Sequence, residues 1–440
     1  MSDYMFVLDS HLDAGQNRAV TEIQRIATEA AMTVWLAGGA MRDMLRGAPI
    51  RDLDFTVERD AVKSGKALAA ALGGHVVAED SLKRWVELEL PGNVRASVSN
   101  ARTEKYAKPG GKPQIAPATI HEDLMRRDFT MNAVALSLNR GSRGLLVDPA
   151  NGQADLSSHE LRATNPYIFF DDPSRIFRMI RFQHVFGFEV APRLQSQLEN
   201  ALLEDLPAEA SASALAGEIR AAAMEPNAVP MLEAFDKLGL LKVISPALTG
   251  AKLNAAGLTR LDKLARSVLP AGSPGGWLAF LNVLVEKLNP KERAEVVRAC
   301  EMSAQEAAVW KKLDAQAKKL ESVLKSPRTN RPSQVWQALE GATTDEVLMV
   351  LYHSPLRVVQ DRIRAFYEKY LPQAQEVSDE QVAATGVKPG TPKFVKARQA
   401  MIAAKLNARP RKIVAPEPEQ PPEAVTPPPP MALAGARARK

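Results

Sequence analysis

Cysteine is almost absent: Cys300 stands alone among 440 residues. That excludes a disulfide framework and a cysteine-built zinc site. The six histidines are scattered and none is followed by aspartate, so a histidine-rich metal cluster has no material either. The N-terminus lacks the basic-then-apolar order of an export signal, and no window approaches the ~20 apolar residues of a membrane span. A soluble cytoplasmic protein without disulfides or membrane attachment is the expectation. What remains is a chain that is 45% hydrophobic and 25% charged, enough for two to four packing units. Its net charge of +6 suits an anionic partner but does not by itself establish nucleic-acid binding.

Organisation changes along the chain. From about residue 20 to 150, helical spacing ("NRAVTEIQRIATEAA", "AMRDMLRG", "KSGKALAAALGG") mixes with strand-like runs. The strand-like runs are "TVWLAGG", "DLDFTV", "HVVAED", "WVELELPGNVRASVSN" and "NAVALSLN". Beyond about 155 the strand signals thin out, and helices punctuated by Pro and Gly run to about 408. From 409 the run "APEPEQPPEAVTPPPPMALAGARARK" has no material for a core and is expected to be a disordered, Pro-rich tail.

The stretch "LAGGAMRDMLRGAPIRDLDFT" (36–56) concentrates the chemistry. On a strand, Leu53 and Phe55 take one face, Asp52 and Asp54 the other. Two adjacent carboxylates repel unless a cation lies between them, and such an oxygen-rich pair suits Mg²⁺, which leaves positions for substrate phosphates. The plain alternative is two solvent-facing aspartates on an edge strand. Gly38 and Gly39 fall between a strand and a helix, where bare backbone N–H groups approach phosphate oxygens. Arg42, on the first turn, adds a charge-assisted contact.

These residues, followed in order by "EDLMRRDFTMNAVAL" (122–136), "DPANGQADLSSHELR" (148–162) and "DDPSRIFRMIRFQHVFGF" (171–188), resemble class II nucleotidyltransferases of the DNA-polymerase-β-like superfamily. That family comprises tRNA nucleotidyltransferases (CCA-adding enzymes) and bacterial poly(A) polymerases. The resemblance covers residues 34 to 248. It implies an α+β fold: an N-terminal nucleotidyltransferase head with a mixed sheet (1–150), a helical neck (151–248), a helical RNA-binding body and tail (249–408) and the Pro-rich extension (409–440). It also implies that Asp52 and Asp54 bind Mg²⁺ and catalyse. By the same similarity Gly38, Gly39 and Arg42 handle the triphosphate, with Asp43 ordering the turn. Arg127, Asp128 and Asn132, supported by Arg126, contact the nucleotide's sugar and phosphates. Asp172 and Arg175 read the incoming base in place of a template, since a carboxylate and a guanidinium present acceptors and donors in a fixed fork. On the residues alone, that pair is equally an intrahelical ion pair at i,i+3. Arg178 and Arg181 line a nucleotide or RNA groove, or a structural stripe with Phe182.

Three positions depart from the family pattern. Asp171 stands where a glutamate is usual, and Ser213–Ala214 where Glu-Arg is common. Ser97 occupies the place of a third carboxylate, five residues before Arg102, with Glu87 or Glu89 on the preceding strand as candidate substitutes. The expected activity is addition of all or part of the 3′-terminal CCA to tRNA from CTP and ATP. The acceptor arm would be held by charge and shape. A poly(A) polymerase is the alternative, disfavoured because "HVVAEDSLKRWVELEL" carries no basic, histidine-containing signature. A relative that binds RNA without catalysis is the third reading, motivated by Ser97. No His-Asp dipeptide marks an HD phosphohydrolase module.

Overall fold

A computed structural model describes residues 4–270 and 275–408; the Pro-rich tail expected from 409 lies outside them. No helix among the described residues is long and apolar enough to cross a membrane. Helix α1 (Tyr4–His11), which the sequence pattern did not suggest, precedes α2 (Ala14–Glu29). The Asp13 carboxylate accepts from the Gln16 amide, and the Gln16 side chain accepts from Asp13 N, a reciprocal cap that fixes where α2 starts. Its stripe Ala19, Val20, Ile23, Ile26 and Ala27 is buried at helical spacing.

Seven strands follow in one mixed sheet. They are β1 (Val34–Ala37), β2 (Asp52–Val57), β3 (His75–Asp80), β4 (Trp85–Leu90), β5 (Val94–Asn100), and the short β8 (Ala135–Ser137) and β9 (Leu146–Val147). Their spatial order is β3-β4-β5-β2-β1-β8-β9. Only β2 and β5 run parallel; the remaining neighbours are antiparallel. Helices α3 (Gly39–Leu45) and α4 (Ala61–Leu72) connect the central strands. Gly65 of α4 packs so closely on the sheet that a Cβ there would sit 2.3 Å from Val86, so the glycine permits the approach. A separate hairpin, β6 (Arg102–Lys105) with β7 (Gln114–Pro117), was not legible in the sequence and leads into α5 (Ile120–Met125).

Beyond the sheet the chain is helical, from α6 (Gly152–Ser158), α7 (Ile168–Asp171), α8 (Arg175–Phe186), α9 (Pro192–Leu203) and α10 (Ala212–Met224) to the helix Pro392–Asn407. The exception is a two-residue parallel pairing of β10 (Glu160–Leu161) with β11 (Glu189–Val190). Two large apolar cores result. One lies within the sheet and its helices and includes Leu53 and Phe55. The other is continuous from Phe129 to Leu406. Leu45, at the end of α3, packs against both, so α3 is the joint between them.

Candidate active site

The strand reading of "DLDF" holds: Leu53 and Phe55 are fully buried, while Asp52 and Asp54 stand half-buried on the opposite face of β2. Both aspartates open onto a cleft of about 400 Å³ whose lining counts seven arginines against three aspartates. Such a surplus of cation in a partly desolvated cleft selects for a polyanion. Of the residues expected in the site, Gly39, Arg42, Asp52, Asp54, Arg127, Asp128, Asn132, Arg175 and Arg178 all line it. Gly38 and Asp172 are not among its lining residues.

Gly38 acts differently from the expectation. Its amide donates to the Val134 carbonyl at 3.3 Å, so that N–H is not free for a phosphate. What the position needs is φ of +68° and open space. A Cβ there would meet Arg127 Nη1 at 2.9 Å and Asp54 Oδ2 at 3.4 Å, closing the gap between the carboxylate and the guanidinium.

Asp54 Oδ1 accepts from Ser97 Oγ at 2.8 Å, and no group among the described residues donates to Oδ2. Burial pushes this carboxyl above its ordinary range; the Ser97 hydroxyl and Arg127 pull the other way, and Asp52 adds to the rise. Asp52 Oδ1 lies 2.8 Å from Arg95 Nε but off the hydrogen-bonding direction, leaving that oxygen without a bonded donor. The Arg95 side chain is 60% exposed, so the pairing covers Asp52 from the solvent side without sealing the cleft. Two adjacent carboxylates with unspent oxygens fit Mg²⁺, whose remaining positions go to water and phosphate. Among the described residues no group of three or more His, Cys, Asp or Glu side chains is placed to hold an ion.

The register explains Ser97. Asp54, Ser97 and Glu87 stand opposite one another across β2, β5 and β4, whereas Asp52 faces Arg95 and then Glu89. Glu87 is therefore two strands from Asp54 with Ser97 between them. Burial raises its carboxyl, Arg95 lowers it, and Asp52 and Asp54 raise it further. Glu89 instead approaches His75 at 3.6 Å.

The arginines are held by carboxylates that sequence reading missed. Asp123, fully buried, accepts from Arg126 Nη2 at 2.6 Å and Arg127 Nη2 at 3.0 Å. Burial opposes its ionisation, but the two guanidinium groups prevail and hold it below its usual range. The signal was present: a carboxylate three and four residues before an Arg-Arg pair on one helix turn. Asp128 is committed inward. Its Oδ1 accepts from Phe129 N and Asn132 Nδ2, and its Oδ2 from Arg178 Nη1 at 2.8 Å. Asn132 Oδ1 then accepts from Arg42 Nη1 at 3.1 Å. Glu218 of α10 accepts from Arg178 at 2.6 Å and from Arg181 at 3.3 Å. It makes the neck contacts that the exposed Ser213 and the short Ala214, one turn earlier on α10, do not.

Arg175 is the exception. Its side chain is 7% exposed, yet among the described residues Nε and Nη1 have no hydrogen-bond partner, and Nη2 alone donates, to the Arg126 carbonyl at 3.3 Å. Asp172 spends Oδ1 on Ser174 N and Oγ, and its Oδ2 lies 4.0 Å from Arg175 Nε, beyond hydrogen-bond reach. The i,i+3 pair is thus not a closed ion pair. A buried guanidinium with two unspent donors on a cleft wall awaits acceptors from elsewhere.

Residues 34–162, spanning the sheet, the aspartate pair and four of the seven cleft arginines, match the family described as the poly A polymerase head domain. Over those residues the chain is similar to that family. An A-adding tRNA nucleotidyltransferase of Halalkalibacterium halodurans is 34% identical over 272 residues, 60% of this chain and 61% of that one. An A-adding tRNA nucleotidyltransferase of Aquifex aeolicus is 29% identical over 345 residues, 77% of this chain and 40% of that one. The chain thus spans less than two thirds of either relative's length. A solved structure described as the apo form II of a CCA-adding enzyme covers 94% of this chain and 96% of its own, with a TM-score of 0.56 and 23% identity. The fold beyond the head domain is therefore shared along almost the whole chain.

Proposed function

We propose that the protein is a template-independent tRNA nucleotidyltransferase adding all or part of the 3′-terminal CCA from CTP and ATP. One observation carries the reading: two strand-borne carboxylates face seven arginines, and one of those arginines keeps two donors unspent. In the reaction the 3′-hydroxyl oxygen of the tRNA bonds to the α-phosphorus of the nucleotide. The bond from that phosphorus to the β-phosphate oxygen breaks, pyrophosphate leaves, and the hydroxyl proton passes to water. Asp52 and Asp54 would hold Mg²⁺, which when bound would supply activation of the attacking hydroxyl and charge stabilisation on the leaving group. Ser97 orients Asp54 by its hydrogen bond. Arg42 and Arg127 take the triphosphate on either side of the Gly38–Gly39 turn, where charge-assisted donors are strongest. Asn132, Asp128 and Arg178 fix Arg42 through a continuous bonded chain, while Arg175 and Asp172 read the base edge. In this division the head (1–150) performs the chemistry, the neck (151–248) selects the base, and the helices of 249–408 hold the acceptor arm by charge and shape.

The test uses purified protein, Mg²⁺, labelled CTP or ATP, and tRNA lacking CCA, ending in C or ending in CC, beside an unstructured RNA. The names of the relatives make ATP on tRNA ending in CC the first step to examine. Addition that stops at CCA supports the proposal. Long A-tails on the unstructured RNA would instead indicate a poly(A) polymerase, and no incorporation on any substrate would leave an RNA-binding relative.

A further inference from the structure

Behind the cleft, α3 and α8 meet in a stack of alternating guanidinium and phenyl planes. Arg181 lies 4.7 Å from the Phe182 ring centroid, and Arg42 lies 5.5 Å from Phe182 and 4.9 Å from Phe186. Arg46 continues the stack at 4.2 Å from Phe186 and 5.8 Å from Phe188. The sequence origin is a matching period. Arg42 and Arg46 are four residues apart on α3 and its C-cap, Phe182 and Phe186 four apart on α8, so the two rows interdigitate.

A carboxylate partner would fix Arg46 but also cancel its charge. A phenyl face fixes the guanidinium plane while leaving the charge available. Arg46 has no carboxylate within ion-pair distance among the described residues; its neighbours in the stack are rings. Arg42 is held along its edge by the buried Asp43 carboxylate, whose Oδ1 lies 2.9 Å from Nε and 2.8 Å from Nη2, and by Asn132, while the rings lie against its face. The same stripe of α8 carries Arg175 seven residues before Phe182, placing the base-facing group and the rings that flank Arg42 on one rigid helix.

We infer that Phe186 is a positioning residue, its ring setting the plane of Arg42 for the nucleotide triphosphate and tying α8 to α3. This rests on the reading of the cleft as a nucleotide site. The experiment is equilibrium binding of ATP and CTP with Mg²⁺, by calorimetry, beside steady-state addition to tRNA ending in CC. Phe186→Leu keeps apolar bulk and removes the ring face; it is expected to raise the nucleotide Kd about fivefold to tenfold, with KM rising more than kcat falls. Phe186→Tyr restores the face and is expected within about twofold of the parent protein. Leu binding as tightly as the parent, or Tyr as weak as Leu, overturns the inference. A parent protein that binds neither nucleotide overturns the reading of the cleft instead. Should the leucine variant melt too early to assay, Arg46→Met tests the stack from its solvent side: a roughly threefold weaker Kd supports it, and an unchanged one refutes it.

Discussion

Arg175 offers the sharpest test of the cleft. In the free protein its Nε and Nη1 are buried without acceptors, and burying an unmet donor costs roughly 1–3 kcal/mol each. A base edge that supplies acceptors relieves that cost and gains charge-assisted bonds of about 1.5–3 kcal/mol apiece. Where a competing base supplies one acceptor fewer, selection rests on one such bond, a factor of roughly ten to one hundred and fifty. Arg175→Ala is therefore expected to lower the ratio of kcat/KM for the preferred over the rejected nucleotide by at least about tenfold. Arg175→Lys keeps the charge but loses the planar fork, and selection is expected to fall nearly as far. The assay is single-nucleotide addition to tRNA ending in C or CC with each of the four nucleoside triphosphates in turn, alongside tRNA binding, which both variants should retain. Selection preserved within about threefold in Arg175→Ala would refute the assignment of those donors to the base.

Three further outcomes follow from the same geometry. Asp54→Asn keeps the shape that accepts the Ser97 hydroxyl and removes a carboxylate that burial disfavours. Addition should fall at least about a thousandfold while the melting temperature at pH 8 holds or rises, and activity within tenfold of the parent would remove Asp54 from the chemistry. Glu218→Gln leaves Arg178 and Arg181 short of their shared buried carboxylate, so urea unfolding should show a loss of about 3 kcal/mol; a loss under 1 kcal/mol would mean the guanidinium groups find other partners. Glu104 gives a pH dependence. Burial alone would raise its carboxyl, but Arg126, Arg102 and the Tyr106 hydroxyl bring it down to about 2 from 4.5. A depressed folded pKa stabilises fully above ~4.5, and that stability is lost as pH falls towards 2. The stability difference between the parent and Glu104→Gln should be about 3 kcal/mol at pH 7 and shrink steadily below pH 4.5; a difference independent of pH would contradict the pairing.

Much of the architecture was legible because it is local. Strand alternation in "DLDF" needed only the residue order, and so did the helices of the second core, where apolar spacing and Pro or Gly breaks coincide. The hairpin at 102–117 was not legible: "RTEK" and "QIAP" have little apolar content, and their pairing is decided by each other and by α5 beneath them. Helix α1 escaped notice because its eight residues lack a clear apolar stripe.

The candidate residues could be named from their order along the chain, since similarity to a known pattern survives without coordinates. Their individual states could not. Whether Asp172 and Arg175 close on each other depends on Ser174 competing for the carboxylate. Whether Asp128 faces a nucleotide or Arg178 depends on α8 crossing behind it. The alternation of Arg42, Phe186 and Arg46 exists only once two helices distant in sequence lie side by side.

The residue order alone determined that two carboxylates share one face of a strand, because a β-strand repeats every two residues whatever surrounds it. Tertiary structure alone decided which of the cleft's charges are spent on each other and which remain for a ligand. That accounting is set by through-space distances of a few ångströms, which no local periodicity encodes.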